Sequence, residues 1–165
     1  MILSRLTRRC SIHQHLSELI PMFAESEAGQ RIAACLTHRV NGSEEVSEVA
    51  EAIVSMFEEI ETSLTPIIGP KGVAALHRRS LHLYLSKHPL RGDNYGMLVV
   101  GMDIQALKAL LAEESIPDAL LFGQEVLNTY YALLATLIGS SLAARLLLDV
   151  WEHSFSGPPA QDTSQ

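Results

Sequence analysis

Cysteine is almost missing from this sequence: Cys10 and Cys35 are the only two in 165 residues, and no metal-ligand spacing joins them. Two such residues offer no disulfide framework, and a reducing, cytoplasmic setting is the expectation. Aromatic residues make up only 5% of the chain, so Leu, Ala, Ile and Val must fill its interior. Cations are outnumbered, with 12 Lys and Arg against 19 Asp and Glu. The net charge of −7 leaves no surplus for phosphate contact, which argues against nucleic acid as a partner.

Catalytic signatures are missing as well. There is no Gly-x-Ser-x-Gly elbow, no Gly-rich phosphate loop with Lys, and no Cys–His pairing that spacing identifies. Gly92, Gly96 and Gly101 are too sparse for a phosphate cradle, and Arg91-Gly92-Asp93 reads as a turn. The seven histidines form neither His-x-x-x-His nor Glu-x-x-His, the spacings that helical metal sites favour. His13 and His15 fall on different helix faces, and His77 and His82 are five apart. The expectation is therefore a non-enzymatic protein with no cofactor. A metal or haem site stays open only through long-range pairing.

Long apolar runs are also lacking. Residues 126–144 carry no charge, but Asn128, Thr129, Thr136, Ser140 and Ser141 interrupt them. A membrane span needs about 20 predominantly apolar residues, so a buried core helix is expected and no membrane span. The first residues, 1–23, carry Arg5, Arg8 and Arg9 with no acid before Glu18. They lack the continuous apolar core and small-residue cleavage site of a leader, and read as an amphipathic helix.

What is present is helical periodicity, in a chain that is 47% hydrophobic and 19% charged. A first helical region over 3–40 should break or kink at Pro21. Its later part places Ile32, Cys35, Leu36 and Val40 at helical spacing and ends at Asn41-Gly42. A second helix, capped by Asn41 or Ser43, sets Val46, Val49, Ala50, Ile53, Met56, Phe57, Ile60 and Leu64 on one stripe. Glutamates 44, 45, 48, 51, 58, 59 and 61 occupy the rest. Pro66 and Gly69-Pro70 mark a turn into a third helix that ends at His88-Pro89. Residues 89–102 form the longest irregular stretch, with Met97-Leu98-Val99-Val100 as an extended centre. Asp103 caps a short helix through Glu114, and Ser115-Ile116-Pro117-Asp118 has the form of a capping box. A long helix follows to Ile138, and a last one spans 140–153.

Leu64 to Gly69 and Leu134 to Gly139 resemble each other at an offset of seventy positions. Duplication and coincidence in a Leu/Ala-rich chain explain this equally well. Either way the expected fold is all-α, a helical bundle of about six helices built on two hairpins, 43–87 and 115–153. Residues 1–156 make one domain, with 1–42 peripheral and 157–165 a disordered tail.

Charge singles out one surface. Lys71, Arg78, Arg79, Lys87 and Arg91 lie in a stretch without Asp or Glu, joined by His77, His82 and His88. Lys71, His77, Arg78, Arg79, Lys87 and Arg91 are thus the candidate binding residues, for an acidic or anionic partner. The plainer reading is a helix that packs beside the Glu-rich one and balances it. His77-Arg78-Arg79-Ser80 resembles the helix of histidine phosphotransfer domains, in which an exposed His in a four-helix bundle accepts phosphate. Those domains carry Lys three residues after the His and Gly next, where Ser80 and Leu81 stand here. The resemblance would make His77 the acceptor.

The last two helices are apolar over most of their circumference. Helices of that kind are central or covered by a partner. Tyr130, Tyr131, Leu134, Leu137, Leu147 and Trp151 are therefore candidate interface residues of a twofold homodimer. The alternative is a central hairpin wrapped by the other helices. The combined expectation is a regulatory, signalling or adaptor module acting through dimerisation and protein or small-ligand binding. Its alternative is a phosphotransfer-like or metal- or haem-binding bundle.

Overall fold

A computed structural model describes residues 26–92, 95, 96, 98 and 103–155. The expected break at Pro21 and the expected disordered tail lie outside the described residues. The elements are α1 (Glu27–Arg39), α2 (Val46–Lys87), a 3-10 turn (Pro89–Arg91), α3 (Ile104–Ala112), α4 (Ile116–Ile138), α5 (Ser140–Leu146) and α6 (Leu148–Phe155). No strand occurs among the described residues, and helix-on-helix packing makes the fold an all-α bundle.

Local chemistry places most of the boundaries. Ser26 Oγ accepts from the Gly29 amide at 3.2 Å and starts α1. The Asp103 carboxylate accepts from Gln105 N and Ala106 N and starts α3. Ser115 Oγ accepts from Asp118 N at 3.3 Å and starts α4. Gly42, with φ +86°, makes the reversal after α1 that a side chain would strain.

Three sequence expectations need correction here. Neither Asn41 nor Ser43 caps α2; Glu45 is the cap residue and makes no side-chain cap bond, so the glutamates carry that start through the helix dipole alone. Pro66 does not break the helix, which continues to Ile68, and the reversal is made at Gly69. Leu98 is helical and buried rather than extended, because it joins the main core.

At Gly69 φ is 73° and ψ is 162°, a non-helical geometry that divides α2 into a first arm, 46–68, and a second, 70–87. The rings of Phe57 and His77 lie 5.3 Å apart. Twenty residues of straight helix would separate them by about 30 Å. The arms therefore form a closed hairpin. His77 also sits 4.8 Å from the Tyr130 ring, and Tyr84 sits 4.9 Å from Phe122. The second arm thus runs antiparallel to α4, and the first arm runs parallel to it.

The seventy-residue offset reappears in three dimensions. The first arm and α4 share their bounds at this offset, and Gly139 repeats the Gly69 geometry with φ 91° and ψ 146°. Val73, His77, Ser80 and Leu81 are buried, and so are Ala143, Leu147, Val150 and Trp151 at the matching positions. A methyl added to Gly123 would sit 2.9 Å from Ile53 Cγ1. Gly123 and Ile53 are themselves seventy apart, so the long helices touch through equivalent residues. Such contacts define a pseudo-twofold axis running along the bundle.

The second hairpin departs from the first beyond its turn. The last helix is bent at Leu147, and α6 packs on α1 and α2. The Cys35 thiol donates to the Trp151 carbonyl at 3.7 Å. The apolar face of α1, Ile32, Cys35 and Leu36, needs a cover, and Val150 and Trp151 supply part of it. The expected hairpin 115–153 is therefore complete only through α5. Arg39 reaches back from α1 to Glu59 with a bidentate pair at 2.8 and 2.6 Å.

Candidate interaction surfaces

The basic residues divide into exposed and withdrawn groups. Lys71, Arg78 and Lys87 are exposed on the second arm, and Arg79 is half-buried. None of the four forms an ion pair with an acid among the described residues. From Lys71 to Lys87 the stripe runs about 24 Å at the rise of an α-helix.

The acids of the first arm face other neighbours. Glu59 holds Arg39, and Glu51 holds Lys108 of α3. Glu58, Glu59 and Asp149 line a groove of ≈ 570 Å³ between the first arm and α6. The plainer sequence reading, with the two arms of α2 neutralising each other, is not what these pairs display.

His77 and Arg91 leave the candidate surface. His77 is 4% exposed and packed between Phe57 and Tyr130, and its Nε2 has no hydrogen-bond partner. Burial pushes the imidazole down to about 4. The cause is positional, since His77 occupies the place that Leu147 takes in the second hairpin. A phosphate acceptor needs an imidazole that solvent can reach, and this one lies in the core.

Arg91 is neutralised at the far end of the bundle. Its Nη1 is 3.0 Å from Glu114 and its Nη2 3.0 Å from Asp118. Tyr95 donates to Glu114 at 3.1 Å, and His88 Nε2 lies 2.9 Å from Glu125. Burial first, and Glu114 second, raise the Tyr95 phenol well above its ordinary range. Tyr84 stacks on His88 and meets the edge of Phe122, closing the cluster. The arrangement anchors the 3-10 turn to the α3–α4 junction and holds no activated nucleophile. Sequence reading overlooked Tyr84, Tyr95, Glu114 and Glu125 because no local spacing links residues 19 or 37 positions apart.

Five of the six expected interface residues belong to the chain's own core. Tyr130, Tyr131, Leu134, Leu147 and Trp151 are buried. The reason is that α4 is covered on several sides at once, by α1, by α2 and by α5. Only Leu137 remains outside, 63% exposed. It has company: Ile67 is 48% exposed and Leu142 43%, each beside one of the two glycine turns.

Among the described residues no three His, Cys, Asp or Glu side chains converge as metal ligands, and no helix is long and apolar enough to cross a membrane. Protein-family models, curated protein sequences and solved structures contain no match to this chain.

Proposed function

We propose that this chain is a non-enzymatic helical interaction module, regulatory or adaptor in role, that docks an acidic protein surface on the second arm of α2. One observation carries the reading. Lys71, Arg78, Arg79 and Lys87 are held along one rigid helix without ion-pair partners among the described residues, in a chain whose net charge is −7. Cations left unpaired on a fixed scaffold steer and orient an acidic partner, and they do so more strongly at low salt. The twofold homodimer has lost most of its basis, because the residues expected to build it fill the core.

The test uses a defined acidic probe, fluorescent poly-glutamate, titrated by anisotropy. The chain should bind it with an affinity that falls as salt rises, and Arg78→Glu/Arg79→Glu should weaken binding at least tenfold, about 1.4 kcal/mol. Helicity by circular dichroism should be unchanged, because Arg78 is exposed and Arg79 half-buried. Equal binding by the variant, or no salt dependence, would remove the proposal.

A further inference from the structure

The two glycine turns lie at the same end of the bundle. His77 and Tyr130 stand side by side on antiparallel helices, their rings 4.8 Å apart. Gly69 is eight residues back from His77, and Gly139 is nine residues beyond Tyr130. Both turns therefore sit about 12–14 Å further along one axis. Packed neighbouring helices are about 8–10 Å apart, so the turns form one contiguous tip.

That tip is apolar and basic. Ile67, Leu137 and Leu142 are exposed there, with Pro66 and Pro70 between them. Lys71 and Arg145 flank them, both exposed and neither in an ion pair among the described residues. No Asp or Glu occurs over 62–92 or over 126–148, so both turns and their flanks lack negative charge.

We propose that this end docks on an anionic membrane surface, with Ile67, Leu137 and Leu142 entering the interface and Lys71 and Arg145 meeting headgroups. Two arguments select this occupant. Three side chains, each about half exposed, fall far short of the roughly 800 Å² per partner that a stable protein interface buries. A lipid interface, by contrast, takes in a few apolar side chains to a depth of about 5–10 Å and adds attraction between cations and anionic lipids. The charge of the tip complements that surface. This face is distinct from the stripe around Arg78 and Arg79, and the inference stands without it.

Flotation of the full chain with vesicles tests it. The chain should float with phosphatidylcholine vesicles that contain phosphatidylserine and stay behind with phosphatidylcholine alone. Ile67→Ser/Leu137→Ser should lower the bound fraction at least tenfold, and so should Lys71→Glu/Arg145→Glu. Arg78→Glu/Arg79→Glu should float like the parent, which separates this inference from the acidic-partner reading. Circular dichroism must show each variant folded. The inference is overturned if the parent does not float, or if the serine variant floats as well as the parent. It is also overturned if the Arg78 and Arg79 variant loses binding equally. A parent that sediments as a dimer and becomes monomeric in the serine variant assigns the tip to a second copy and likewise overturns it.

Discussion

Replacing His77 by Leu tests how the hairpin is held together. The imidazole lies between Phe57 and Tyr130 with its Nε2 unpartnered, and burial lowers its pKa from 6.5 to about 4. Below 6.5 the unfolded chain takes up a proton at this residue while the folded chain does not, until pH nears 4. Stability from the neutral histidine is therefore complete above pH 6.5 and drains away as pH falls through that window. At roughly 1.4 kcal/mol per pH unit the loss reaches about 3 kcal/mol. Leucine has no proton to gain, leaves no polar atom unsatisfied, and already occupies the equivalent position as Leu147. Urea unfolding of both proteins at a series of pH values gives the difference directly, since titrations shared by the two cancel. The gap in favour of His77→Leu should be flat above pH 6.5 and widen by about 3 kcal/mol towards pH 4. Parallel stability curves would refute the burial argument, and with it the tight closure of the α2 hairpin.

Two further substitutions probe the pseudo-twofold axis. A methyl at Gly123 would meet Ile53 Cγ1 at 2.9 Å, Ile53 Cδ1 at 3.0 Å and Leu36 Cδ2 at 3.1 Å. Overpacking of about 1–3 kcal/mol then opposes a helix-propensity gain of about 1 kcal/mol, so Gly123→Ala should lower the melting temperature; an unchanged or higher one would mean the helices are not in close contact. Gly69 and Gly139 have open space around them but share a positive φ. Gly69→Ala and Gly139→Ala should each cost about 1–2 kcal/mol in denaturant unfolding, by conformation alone, and a large disparity would mean that the two turns are not equivalent.

Most boundaries in this fold could be read from the chain because the causes are local. Ser26, Asp103 and Ser115 start helices with their own side chains, and Gly42, Gly69 and Gly139 end them with a backbone conformation that glycine permits. The seventy-residue echo around Ile68-Gly69 and Ile138-Gly139 was visible too, and so was the burial of Val49 to Leu64, because a helix displays its apolar stripe in its spacing. The exposed cations of the second arm were legible for the same reason. Identical cues misled wherever the deciding contact came from a distant segment. His77 looked like part of a basic face until Phe57 and Tyr130 closed over it, and Arg91 looked free until Glu114 and Asp118 arrived from the α3–α4 junction. Leu137 and Trp151 read alike as apolar helix residues, yet one is 63% exposed and the other is core. Periodicity states which residues share a side of a helix. Only packing decides what covers that side, because the cover is another part of the chain whose position no local spacing encodes.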